Sequence, residues 1–446
     1  MDILKYWLSR RFFGSAILLY ILLMVVVGVL KSESLPAFPI IAMQLLYVIV
    51  VLLFSLTTTF ASVKRTMIAI FFFQLICGYG LRCFNFIYFN NPLGFEPFDA
   101  AAYDEAGSDT NLSYVQYIAY LFLTDNSFQI DDIGFPSIIY FVYKVFGSWG
   151  REMMVFFNAV IITASSYYLY KTSNLFFEKK PSLFISFFWG IEAFAVYTSS
   201  VGLKENFFAF FVVAAMYYLC RLQNQFKTKY FFLFLIFCVG VLFFRIALFY
   251  AFIVTFFVIE LLKVRAIKKN IWGYALVIVV ILLLNMTAII SNMADQRGYE
   301  YENITLNQVE NAGSMIGQIT NVVAAFIGPF ANFVSDEFKR NYITLYSFTP
   351  FCKMLISLFF LYGMYYALKH KLTQFFPLIL FWLMNTFMIV FTFYALHDRF
   401  QWPHIPMVLV LSALGYSKIN HSKHLRLERL YVILVALIII IFNSRV

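Results

Sequence analysis

Residues 38–60 read FPIIAMQLLYVIVVLLFSLTTTF and contain no charged side chain. A helix needs about 20 mostly apolar residues to cross a bilayer, so this stretch predicts a transmembrane helix. The rest of the chain has the same character, since 62% of its 446 residues are hydrophobic and only 13% are charged. Soluble domains have about 25% charged residues. The composition therefore predicts an all-α membrane protein and excludes the fibrous, disordered and disulfide-rich secreted classes.

Apolar stretches of this kind recur along the chain and predict a transmembrane helical bundle of about 13 spans. The predicted spans are residues 13–30, 38–60, 67–88, 153–170, 182–200, 206–220, 230–245, 246–263, 271–290, 350–368, 374–395, 403–417 and 430–443. With the N-terminus in the cytoplasm, every connection on the cytoplasmic side carries Lys or Arg, as the positive-inside rule requires.

The basic residues of these connections form six groups. They are Lys64 and Arg65; Lys171, Lys179 and Lys180; Arg221, Lys227 and Lys229; Lys263, Arg265, Lys268 and Lys269; Lys369 and Lys371; and Lys418, Lys423, Arg426 and Arg429.

Two long connections, residues 89–152 and 291–349, lie on the opposite, periplasmic side in this arrangement. The first contains two apolar pieces, residues 112–123 and 135–146, which are too short to cross the bilayer. Amphipathic helices of that size lie at the membrane interface. We therefore expect interfacial helices in the first periplasmic loop.

Carboxylates are concentrated in the first periplasmic loop, which has no Lys or Arg between residues 89 and 134. These eight residues are Glu96, Asp99, Asp104, Glu105, Asp109, Asp125, Asp131 and Asp132. One interpretation is a solvated loop that follows the charge asymmetry of the membrane. The other is a functional site, because a carboxylate at this depth can act as general base on a sugar hydroxyl.

Asp99 is the strongest candidate because it follows a predicted span directly. Tyr103 lies four residues later and shares its face if the run is helical. Asp104 and Glu105 come next and are further catalytic candidates.

Polar groups also occur at the outer ends of predicted spans. Lys204 and Glu205 stand between two apolar helices, where they either face lipid headgroups or bind a phosphate and a sugar. Arg245 lies within an apolar run and is either a snorkelling anchor or a ligand-binding cation. His397, Arg399 and His404 cluster before another span, and a guanidinium can donate two hydrogen bonds to a phosphate.

Several other classes of function find no support. The net charge of +10 is explained by basic cytoplasmic loops, so no nucleic-acid partner is expected. The five cysteines form no CxxC pair, and the HExxH, Walker A, GxSxG and GxGxxG motifs are absent. No motif predicts a cofactor, although Asp99 and a neighbour offer oxygen ligands for a divalent metal such as Mg²⁺ or Mn²⁺.

Three stretches of the chain resemble the GT-C glycosyltransferase superfamily, in particular the bacterial relatives of protein O-mannosyltransferases and of the enzyme that adds aminoarabinose to lipid A. The resemblance spans roughly residues 67–417. It is carried by FDAAAYDEA at 98–106, by DIGFPSIIYFVYKVFG at 132–147, and by RFQWPHIP at 399–406, together with Asn158 and the Lys204–Glu205 pair.

This resemblance implies a sugar donor linked to polyprenyl phosphate or diphosphate and transfer on the outer face of the membrane, with inversion, to a glycan or lipid-linked acceptor. It implies that Asp99 is the acidic side chain that acts in catalysis, with Asp104 or Glu105 as the fallback. Lys204, Arg245 and Arg399 are expected to hold the carrier phosphate. Tyr103, Glu205, His397 and His404 are expected in the same binding site.

The chain also departs from the pattern of these relatives. We expect one integral membrane domain over residues 1–446, in which two extra spans (1–66) precede the GT-C-like core (67–417). A final span (418–446) stands where relatives carry a soluble domain. These departures leave open a repeat-unit polymerase of surface polysaccharide such as O-antigen.

Two non-enzyme alternatives also remain. A transporter or flippase of lipid-linked sugars is favoured by Glu192, which lies in the middle of a predicted span. A structural or assembly protein is the third possibility. For the enzyme, the expected location is a bacterial inner membrane with the active site on the periplasmic face.

Overall fold

The computed structural model describes residues 10–58, 60–94, 98–108, 111–123, 133–263, 315–334, 341–391 and 398–444. Within these ranges every regular element is a helix, which confirms the predicted all-α class. The helices are α1 (Arg10–Leu30), α2 (Phe38–Thr57), α3 (Val63–Phe89), α4 (Phe98–Ser108), α5 (Tyr114–Leu123), α6 (Gly134–Phe146), α7 (Gly150–Ser173), α8 (Lys179–Gly190), α9 (Ala193–Val201), α10 (Glu205–Asn224), α11 (Thr228–Leu242), α12 (Ile246–Lys263), α13 (Met315–Phe326), α14 (Asn341–Thr344), α15 (Phe348–Lys369), α16 (Phe376–Phe391), α17 (Asp398–Gln401), α18 (Ile405–Lys418) and α19 (His421–Asn443).

The protein is an integral membrane protein. Seven helices of the described ranges are long and apolar enough to cross a membrane, or eight if one bent pair counts as a span. Two shorter apolar helices, Gly14–Leu30 and Thr228–Leu242, coincide with further predicted spans. The predicted span at 271–290 lies outside the described residues, so the count of about 13 stays a prediction.

The predicted span over residues 182–200 is broken into two helices. α8 and α9 meet at an angle of 42°. A break in the middle of a span leaves backbone groups that lipid cannot satisfy. Side chains from two other helices bond them, since Gln74 donates to Gly190 O at 2.8 Å and Tyr47 donates to Ile191 O. The bend is therefore fixed by tertiary contacts.

The basic connections gather at one end of the bundle. Lys263 Nζ, at the end of α12, donates to Leu222 O of α10 at 3.0 Å. The ring of Phe176, after α7, stacks on Phe375, before α16, with 4.4 Å between centroids. The opposite end therefore carries the connections α3–α4, α9–α10, α11–α12 and α16–α18.

α15 and α18 cross at two glycines. A Cβ added at Gly415 would lie 2.7 Å from Gly363 N and would also collide with Phe359 O. Small residues allow membrane helices to approach this closely. The contact anchors α18, and α17 with its site residues lies just before α18 in the chain.

We expect Gly415→Ala to lower the thermal unfolding midpoint in detergent, because the new methyl group forces α15 and α18 apart. Gly80→Ala is the matched control, since a Cβ at Gly80 meets nothing within 4 Å. Ala is preferred to Gly in helices by about 1 kcal/mol, so the control should be neutral or stabilising. Equal midpoints for both variants would contradict the tight crossing.

Candidate active site

Arg399 joins two carboxylates that come from distant parts of the chain. Its Nε donates to Glu205 Oε1 at 2.6 Å, and its Nη1 donates to Asp99 Oδ2 at 2.5 Å. Asp99 lies in the first turn of α4, Glu205 begins α10, and Arg399 lies on the short helix α17. The structure thus brings together three of the residues that the sequence selects separately.

The two carboxylates differ in their exposure to solvent. The Glu205 side chain is fully buried, whereas the Asp99 side chain is 49% exposed. Glu205 Oε2 has no hydrogen-bond partner within the described residues. Both acids lie at helix N-termini, where the helix dipole stabilises negative charge. Glu205 therefore holds Arg399 from the protein interior, and Asp99 contacts Arg399 on its solvent-exposed side.

The Arg399 guanidinium keeps its charge in this setting. Burial acts to lower its pKa, but the Glu205 and Asp99 carboxylates raise the pKa well above the usual value for arginine. A permanently charged fork at a helix end is suited to a phosphate oxygen.

Lys204 lies beside the face of α4 that carries Asp99. Its Nζ is 5.6 Å from the centroid of the Tyr103 ring. Both side chains are buried, and the Tyr103 ring packs edge-on against Phe135 of α6 at 5.4 Å. An ammonium near an aromatic face gains cation–π stabilisation. The predicted proximity of Lys204 and Tyr103 to Asp99 is thus present.

Arg245 reaches the same region from the connection between α11 and α12. Its guanidinium carbon lies 4.5 Å from the Phe400 ring centroid and 5.6 Å from that of Phe208. Phe400 follows Arg399, and Phe208 follows Glu205 by three residues. Cationic groups from three separate connections therefore meet at the end of the bundle opposite the basic connections.

Other predicted site residues lie elsewhere. His404 is fully buried, and its Nδ1 lies 2.7 Å from Asn385 Nδ2 on α16, so it packs beneath α17. Glu105 is exposed on α4. His397 lies outside the described residues.

Asp104 belongs to a second polar cluster. Arg151 binds it through Nη2 and through Nε, the latter 3.3 Å from Asp104 Oδ1, and Tyr143 OH donates to the same carboxylate. No hydrogen bond or ion pair found in the described residues links Asp104 to Arg399. The structure therefore separates Asp104 from the group of residues around Asp99.

A metal ion has no evident ligand set in the part of the chain that the structure describes. No group of three or more His, Cys, Asp or Glu side chains is arranged there to hold one. Asp99 and Glu205 instead converge on a guanidinium. The divalent metal considered from the sequence stays a prediction.

Lys353, a residue outside the set predicted from the sequence, supports the site from within the bundle. The residue is buried on α15, and its Nζ donates to Gln401 Oε1 at the end of α17 and to Gly328 O. Gln401 Nε2 donates in turn to Ala324 O at 2.8 Å. Lys353 could have been found from the sequence, because a charged residue within an apolar run usually has a partner or a function. The same reasoning selected Arg245.

The comparisons with known proteins point to one family. The model of the dolichyl-phosphate-mannose-protein mannosyltransferase family matches residues 133–290. The resemblance to GT-C glycosyltransferases is therefore confirmed over this part of the chain, which includes Lys204, Glu205 and Arg245 but neither Asp99 nor Arg399. A search among curated proteins finds no match.

We expect Lys353→Met to destabilise the protein by about 1–3 kcal/mol, because two buried carbonyl oxygens lose their donor. Thermal or denaturant unfolding in detergent measures this change. Lys369→Met is the control, since Lys369 lies exposed in the last turn of the same helix. A Lys353 variant as stable as the control would show that Lys353 does not hold α17.

Proposed function

We propose that the protein is a GT-C-type membrane glycosyltransferase that uses a sugar linked to polyprenyl phosphate or diphosphate. It transfers the sugar on the outer face of the membrane to a glycan or lipid-linked acceptor. The observation that carries the proposal is Arg399 held between Asp99 and Glu205, beside a segment that matches the mannosyltransferase family.

The location of the site supports sugar transfer on the outer face of the membrane. Basic connections mark the cytoplasmic side of membrane proteins, and they gather at the end of the bundle opposite Arg399. The same reasoning favours the periplasmic side of a bacterial inner membrane.

The cations suit a lipid phosphate. A polyprenyl carrier keeps its phosphate at headgroup depth and its tail among apolar helix surfaces. Arg399 offers a fork of donors at this depth, and Arg245 and Lys204 add positive charge nearby.

The unequal exposure of Asp99 and Glu205 indicates which of the two carboxylates an incoming phosphate displaces first from Arg399. The contact between Arg399 and half-exposed Asp99 is the weaker one, because solvent screens exposed ion pairs. The contact with buried Glu205 is costly to break. An incoming phosphate therefore replaces Asp99 at Arg399, which frees the Asp99 carboxylate for chemistry.

Asp99 then acts as general base. It accepts the proton of an acceptor hydroxyl while the hydroxyl oxygen attacks the anomeric carbon of the donor sugar. The bond from that carbon to the phosphate oxygen breaks, the configuration inverts, and the carrier phosphate leaves. Arg399, with Arg245 and Lys204, stabilises the negative charge that develops on the phosphate.

A repeat-unit polymerase would use the same groups and differs in the length of its product. The transporter alternative is favoured by Glu192, which is buried beside the break between α8 and α9. However, Tyr47 and Gln74 bond the backbone carbonyls of that break, whereas transporters direct such groups toward a substrate.

We expect Asp99→Asn to lower turnover at least about 100-fold, the loss typical for a general base. The assay uses purified protein in nanodiscs, a panel of radiolabelled polyprenyl-phosphate hexoses and neutral octyl hexosides, and it measures release of the polyprenyl phosphate. Arg399→Gln should lower turnover by at least as much.

Glu105→Gln is the matched control on the exposed face of the same helix and should remain active. Equal turnover of the wild type, Asp99→Asn and Arg399→Gln would rule the mechanism out. If Glu105→Gln is inactive and Asp99→Asn remains active, Glu105 and not Asp99 is the general base.

A further inference from the structure

A small recess lies on the face of α4 next to the one that carries Asp99. Asp104 lines it from α4, and Arg151 lines it from the start of α7. Other residues at its wall are Arg82, Ala100, Ser199 and Gly202. The recess therefore adjoins the candidate active site, since Asp99 precedes Ala100 and Gly202 precedes Lys204 by two residues.

Both arginines that line the recess are paired with a carboxylate. Arg151 binds both oxygens of Asp104, which also accepts a hydrogen bond from Tyr143. Arg82 Nε lies 2.8 Å from Glu152 Oε2, and Arg82 Nη2 lies 3.0 Å from Glu152 Oε1. The side chain of Arg151 is 40% exposed, so a ligand can reach it.

The charges and the size of the recess indicate what it can bind. Each of the two guanidinium groups is already paired with a carboxylate, Arg151 with Asp104 at the wall and Arg82 with Glu152 outside it, so neither carries an unbalanced charge. The rest of the lining includes the apolar side chains of Leu93, Ile139 and Met154. Its cavity volume of about 10 Å³ admits roughly one water-sized group. A neutral hydroxyl fits this description, whereas a phosphate would be too large and would meet the Asp104 carboxylate.

The position of α4 separates the recess from the phosphate-binding cations. Successive residues on a helix are about 100° apart, so Ala100 and Asp104 face the recess while Asp99 and Tyr103 face Arg399 and Lys204. The recess therefore lies next to Asp99 but on a different face of α4 from the one that meets these cations.

We propose that this recess binds a hydroxyl of a neutral acceptor sugar through Asp104 and Arg151, next to the hydroxyl that reacts. The inference rests on the proposed function and names its acceptor class. Asp104, the fallback base in the sequence analysis, becomes an acceptor-binding residue.

The test compares acceptor and donor kinetics of the purified full-length protein in nanodiscs. The donors are the polyprenyl-phosphate hexoses above, and the acceptors are neutral octyl hexosides with octyl uronosides as anionic counterparts. We expect Asp104→Asn and Arg151→Gln to raise the KM for neutral acceptors at least about tenfold, the loss expected when a hydrogen bond to a charged group is removed. The donor KM should stay within about twofold, and uronosides should be poorer acceptors than hexosides for the wild type.

Lys144→Gln is the matched control, because Lys144 is exposed on α6 near this cluster and donates to Leu112 O. Thermal midpoints identify any variant that fails to fold, and Asp104→Asn preserves side-chain volume if Arg151→Gln unfolds. An unchanged acceptor KM in folded variants, or an equal rise in the donor KM, overturns this inference. Turnover by the wild type in the same assay still upholds the proposed function. Absence of wild-type turnover with every donor and acceptor pair overturns both.

Discussion

The ion pairs of Arg399 are the interaction on which the candidate site depends. They join α17 to α4 and to α10, because Arg399 contacts Asp99, 300 residues away along the chain, and Glu205, 194 residues away. Loss of the guanidinium would leave Glu205 as a buried carboxylate without its partner, which costs about 3–5 kcal/mol in comparable buried pairs. The half-exposed pair with Asp99 is worth about 0–1 kcal/mol, so this contact can open without loss of the fold.

Buried polar contacts hold the short helix that carries Arg399. Lys353 and Gln401 connect α15, α17 and the segment after α13, and Asn385 Nδ2 donates to Phe400 O at 3.3 Å. Such contacts are needed because four residues of helix have too little apolar surface to fix their own position. Close packing of α15 against α18 at Gly415 also fixes the position of α18, the helix that follows α17 in the chain. The position of Arg399 is therefore set by the bundle interior and not by its own loop.

Hydropathy predicted a large part of this architecture, because lipid demands long apolar helices and basic cytoplasmic ends. The prediction at 246–263 coincides with α12. Charges at the outer ends of predicted spans selected Lys204, Arg245 and Arg399 as candidates, and the acidic run of the first periplasmic loop selected Asp99. Other features depend on contacts that a local pattern cannot reveal. The break in the span at 182–200 is satisfied by side chains of α2 and α3, and the role of Asp104 depends on Arg151 of α7.

The most direct test of the account is a cryo-EM structure of the protein in nanodiscs with a bound polyprenyl phosphate. We expect phosphate density on the Arg399 guanidinium, with the Glu205 contact retained and the Asp99 carboxylate released from Arg399. Density for the phosphate at another part of the bundle, with Arg399 still bound by both carboxylates, would contradict it.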